Sequence, residues 1–91
     1  MRAKPMLSLQ DLPNIGPCIA RLLKQAGIHS PEELASTGAV GAARRIRSIR
    51  PHDPPCRSMV CGLEGAIRRV RWHVIPQAER EALWSEYESQ L

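Results

Sequence analysis

Residues 12–28, LPNIGPCIARLLKQAGI, decide how this chain is read. Pro13, Asn14 and Gly16 cannot extend a helix comfortably, so they mark a turn. Pro17 then suits the first position of a new helix, where a fixed φ and a missing N–H cost nothing. Ile19, Leu22, Leu23 and Ala26 fall on one stripe at helical spacing, with Arg21, Lys24 and Gln25 pointing elsewhere. Gly27 is the expected left-handed residue beyond the helix end, and Ile28 can fold back against it.

Outward from that stretch, nearly every segment reads as helix. Ser8 is a candidate N-cap with Asp11 three residues on, flanked by Leu7 and Leu12 as a hydrophobic staple, and Pro13 ends this helix early. In HSPEEL (29–34), Ser30 caps, Pro31 takes the first helical position and Glu33 completes a capping box. GAVG (38–41) reads as a second tight turn, followed by a helix over 42–50 with Val40, Ala43, Ile46 and Ile49 inward. RPHDPP (50–55) is a rigid elbow. The longest helical pattern runs over 56–74, with Met59, Leu63, Ala66 or Ile67, Val70 and Val74 as its apolar stripe. Gly62 and Gly65 each cost a helix about 1 kcal/mol relative to alanine, which predicts another helix crossing closely there. Pro76 opens the last helix, whose stripe is Leu83, Trp84, Tyr87 and Leu91. No segment alternates with period two. The expectation is an all-α fold of five or six short helices, a helix-hairpin-helix-like (SAM-like) bundle, with an N-terminal tail at 1–7 and a single domain over 8–91.

Composition narrows the function classes. Ninety-one residues make one domain. No run approaches the ~20 apolar residues of a membrane span, and the N-terminus lacks a signal-like apolar stretch, so a cytoplasmic protein is expected. Three cysteines without a C-x-x-C pair argue for buried reduced thiols rather than a disulfide framework, and the spacing of His52, Cys56 and Cys61 matches no zinc motif. Between residues 44 and 71 eight arginines face two acids, whereas residues 77–91 hold four glutamates and one arginine. Such a split suggests an anion-attracting face.

A helix, a Pro-Asn-Ile-Gly turn, a second helix and Gly-Ile form the layout of a helix-hairpin-helix unit. Backbone N–H groups of such a hairpin can hold one phosphate without reading base sequence. The candidate contacts are Asn14, Ile15 and Gly16, with Arg21, Lys24, Arg44, Arg45 and Arg47; TGAVGAAR (37–44) could be a degenerate second copy. Three features favour the alternative, pure architecture. Asn14 replaces the usual first glycine, Cys18 and Ile19 stand where DNA-binding hairpins commonly offer lysine, and Pro17 removes a donor. No catalytic constellation, cofactor loop or metal set is legible. Trp72 and Trp84, in a chain without phenylalanine, are expected to anchor the core.

Taken together, LPNIGPCIARLLKQAGIHSPEEL, GAVGAARRIR and MVCGLEGAIRRVRWHVIPQAEREAL resemble the C-terminal domain of TfoX/Sxy proteins, regulators of natural competence. The elements that carry the resemblance include Leu63-Glu64-Gly65-Ala66 and the run from Trp72 to Pro76, with Gly27 as a further anchor. The resemblance implies an all-α domain without enzymatic activity or cofactor. Its best-known members act as coactivators beside the cyclic-AMP receptor protein, and in them this domain usually follows an N-terminal α+β domain. It also implies a stand-alone copy here. The expected partner is a protein, either transcription machinery or a separate TfoX N-terminal-like protein, with weak nucleic-acid binding as the alternative.

Overall fold

The computed structural model describes residues 7–89. Among the described residues there are five α-helices: α1 (Pro17–Gln25), α2 (Pro31–Thr37), α3 (Ala39–Ile49), α4 (Arg57–Arg68) and α5 (Gln77–Ser89). Two single 3-10 turns, Leu9–Asp11 and Trp72–Val74, complete it, and no strand occurs among the described residues. The expectation of an all-α fold of five or six short helices holds.

Local signals set most helix ends. α1 starts at Pro17 and stops in a paired cap: Ile28 N–H donates to Leu23 C=O (2.8 Å) and Gly27 N–H to Lys24 C=O (3.0 Å), with Gly27 at φ +87°. Glu33 N–H donates to Ser30 Oγ (3.1 Å) at the start of α2. The Glu33 carboxylate reaches back one residue further than a capping box requires, accepting from His29 N–H (2.6 Å). The helix expected at Ser8 is one 3-10 turn, closed by Ser8 N–H donating to Asp11 Oδ2 (2.8 Å). Leu7 is 47% exposed, so half of the expected staple lies open.

Three expectations need correction. Residues 38–41 are not a second hairpin: Gly38 alone turns the chain, at φ +83°, and α3 already runs from Ala39, with Val40 and Gly41 inside it. Ile49 points outward, 43% exposed. The pattern over 56–74 is also not one helix. Arg69 takes the left-handed conformation (φ 65°, ψ 37°), and Val70 N–H donates to Gly65 C=O (2.8 Å), so α4 ends at Arg68. Val74, assigned to the stripe, is 62% exposed. This cap repeats the bonding at Gly27 with an arginine in the strained seat. Arg69 is exposed, so Arg69→Gly removes the strain and loses no buried contact. It should raise stability by about 0.5–1 kcal/mol, read as a higher urea midpoint at unchanged m-value. A lower midpoint would show that the arginine side chain holds the cap.

α3 is the hub, packing against α1, α2, α4 and α5. Its buried face is Ala39, Val40, Ala42, Ala43 and Ile46, and the small alanines let neighbouring helices approach closely. Leu22, Leu23, Ile28, Leu34, Val60, Leu63 and Ala66 close the core around it. α5 contributes buried Tyr87, stacked on Trp84 (5.2 Å between centroids), with Leu83 and Trp84 packed against the core. Leu91 lies outside the described residues, as does most of the expected tail at 1–7. Arg68 joins the basic and acidic segments, pairing with Glu64 within α4 and with Glu79 of α5, each at 2.7 Å. The hydrogen bonds that Arg68 donates to these two carboxylates push its pKa up.

Candidate functional site

The Leu12–Ile15 turn explains its own sequence. Ile15 N–H donates to Leu12 C=O (3.3 Å), Pro13 sits at the first central position, and Asn14 at the second has φ +69°. That is the type II arrangement, in which the second central residue is glycine or asparagine. Gly16 does not carry the positive φ; it is extended (φ −92°, ψ −177°) as the N-cap of α1.

Asn14 turns its side chain inward. Its Nδ2 donates to Val70 C=O (2.9 Å) and to Gly62 C=O (3.3 Å), and its Oδ1 accepts from Trp72 N–H (3.2 Å). One carboxamide therefore ties the hairpin to α4 and to the strap after it, across 48 to 58 residues of sequence. Gly65 makes room for this clamp. A Cβ there would stand 2.6 Å from Asn14 Nδ2 and 2.7 Å from the Val70 carbonyl oxygen. The two glycines in α4 thus face a turn and its bonded strap, not the crossing helix expected from the sequence.

The remaining candidate contacts scatter. Ile15 is buried, while Gly16, Arg21 and Lys24 are exposed. Arg44 lines a depression with Glu64, Leu83 and Glu86, and its Nε is buried without a partner. Arg45, one residue on, lines another with Gly27, Glu32 and Glu33. Arg47 is half-buried. Successive helix positions point about 100° apart, so Arg44 and Arg45 cannot form one patch. Of the expected anchors, Leu63 and Gly65 are buried and Trp84 packs on the core. Trp72 lies half-buried outside the core cluster, with the Arg80 guanidinium 5.4 Å from its ring centroid, which corrects its expected place in the core. Pro76 is exposed and accepts from Arg80 N–H (3.0 Å) as α5 begins.

Beside the clamp opens a groove of about 410 Å³. Asn14 and Gly62 form its base, Ile19, Met59 and Trp72 its apolar walls, and Cys56, Ser58, Arg71 and His73 its rim. Sequence reading missed Met59, Arg71 and His73 as neighbours, since no local pattern links segments so far apart in the chain.

The cysteines differ from expectation. Cys61 is buried, and burial pushes its thiol pKa up against the lowering pull of Arg80 and Arg57, but Cys18 and Cys56 are exposed. Among the described residues, no group of three or more His, Cys, Asp or Glu could hold a metal ion. No helix among them is long and apolar enough to cross a membrane.

A helical bundle entered through a hairpin whose asparagine closes on a distant helix is the class of domain these features define. Two crystal structures of Listeria monocytogenes proteins have a similar overall fold. One, described as an uncharacterized protein, is 34% identical with a TM-score of 0.84, the match covering 92% of this chain and 93% of that one. Another, described as a protein of unknown function, is 35% identical with a TM-score of 0.81, covering 91% and 99%. The TfoX C-terminal domain family matches residues 6–87, and the chain belongs to that family. No curated protein shows a significant match.

Proposed function

We propose that this chain is a non-catalytic regulatory domain that works by docking on a transcription-related protein. The observation that carries the reading is the open groove beside the hairpin, which leaves Ile19, Met59 and Trp72 only partly covered in a domain that buries most of its large apolar side chains. Membership of a regulatory-domain family supports it. A tagged chain incubated in lysate from its source organism should retain a transcription component at both low and moderate salt. Recovery of none at either salt would remove the reading.

The competing reading is a weak, sequence-independent DNA-binding module, and the excess of arginine between residues 44 and 71 favours it. Against it, the Asn14 carboxamide is committed to Gly62, Val70 and Trp72, and Arg44 and Arg45 face different depressions. Fluorescence anisotropy with a short random duplex should therefore show no binding tighter than about 10 µM at ~50 mM salt, where phosphate contacts are strongest. Micromolar binding that falls steeply with salt and disappears in the Arg44→Glu/Arg45→Glu double variant would put DNA in place of the protein partner.

A further inference from the structure

We propose that the groove between the hairpin and the start of α4 receives an acidic, apolar peptide segment of the partner protein; this rests on the docking reading above and names its partner's chemistry. Ile19, Met59 and Trp72 supply apolar wall, while Arg71 and His73 stand on the rim and no carboxylate lines the groove. α4 begins at this rim with Cys56 and Ser58. No side chain caps that helix start and no acid lies in its first turn, so its free N–H groups and the positive end of its dipole are uncompensated.

The charge around the groove is also unspent. Among the described residues, Arg50 pairs with Asp53, and Arg68 with Glu64 and Glu79, whereas Arg71 has no ion pair. Val74, on the 3-10 turn that carries Trp72 and His73, adds exposed apolar surface. An apolar channel with a cationic rim complements a segment that alternates carboxylates with leucine- or phenylalanine-like side chains. A phosphate backbone would satisfy the rim but leave Ile19 and Met59 against polar sugars.

The test titrates the ¹⁵N-labelled full chain with a short synthetic peptide in which Asp and Glu alternate with Leu and Phe. Amide shifts are expected at Ile19, Ser58, Met59 and His73, together with the Trp72 indole. Arg71→Glu should weaken the affinity about tenfold or more, as should replacing the peptide's acids with amides. Ser58→Asp, which supplies the missing first-turn acid and so cannot weaken the helix start, should do the same. Arg21→Glu on α1 should leave affinity within about twofold. Absence of binding, shifts confined to another face, wild-type affinity in Arg71→Glu, or displacement of the peptide by an oligothymidylate that binds more tightly would each overturn the assignment. If the peptide fails while the lysate experiment still yields a transcription component, the groove assignment falls and the docking reading stands.

Discussion

Asn14→Asp should lower the stability of this domain by about 2–4 kcal/mol at neutral pH, the largest effect expected from any isosteric change in the chain. The carboxamide donates to the Gly62 and Val70 carbonyls and accepts from Trp72 N–H. A carboxylate can still accept from Trp72. Its other oxygen, however, would face two carbonyl oxygens in a half-buried site, with no donor between them. Small domains have a total stability on the order of 5–10 kcal/mol, so this loss is a large fraction of the whole. Protonation relieves the repulsion and restores one donor, so the variant's carboxyl pKa in the folded state should lie above its unfolded value of about 3.9. The folded variant then binds the proton more tightly than the unfolded chain does. Its deficit against wild type should therefore be small below pH ~4 and grow as pH rises through the folded pKa. Urea unfolding of both proteins at several pH values measures it. A deficit independent of pH would mean that the carboxylate finds another donor or swings into solvent. Asn14→Gly provides the control, keeping the positive φ easy while deleting all three hydrogen bonds, and should cost about 1–3 kcal/mol at every pH.

Gly65→Ala is the second large effect, expected at about 2 kcal/mol or more, even though alanine is favoured over glycine in a helix by about 1 kcal/mol. Two of the three atoms that its Cβ would meet belong to backbone, the Val70 carbonyl oxygen at 2.7 Å and Trp72 Cα at 3.2 Å, and the third is Asn14 Nδ2 at 2.6 Å. None is the free end of a flexible side chain, so the whole clamp must move. Gly62→Ala, one turn earlier, meets only Asn14 Cβ at 3.5 Å, an ordinary contact. It should therefore be neutral or stabilising by up to ~1 kcal/mol. Opposite signs three residues apart, measured as urea midpoints, would identify the clamp as the cause. Equal effects at both positions would show that helix propensity, not the clamp, sets the cost.

Much of this architecture is legible in the chain itself. Pro17, Gly27, Ser30, Pro31 and Gly38 each sit within one turn of the helix end they define, and each acts through a bond or a φ preference that depends on near neighbours alone. The stripe on α1 and the inward faces of Val40, Ala43 and Ile46 follow from helical spacing in the same way. The break after Arg68 was not legible, because an arginine occupies a seat that sequence reading reserves for glycine. The basic segment misled in a similar manner. Adjacent arginines look like a patch in a linear string, yet Arg44 and Arg45 leave the helix in different directions.

By itself, then, the sequence determined an all-α chain of five or six short helices opened by a hairpin, since most helix starts and stops are decided by groups a few residues apart. Tertiary structure alone decided what the hairpin's asparagine binds within the fold. Asn14 finds its partners 48 to 58 residues away, and that contact both ties the hairpin to α4 and its strap and shapes the base of the groove. Such partners exist only once α4 has packed and its strap has turned back, so no local pattern around Asn14 could announce them.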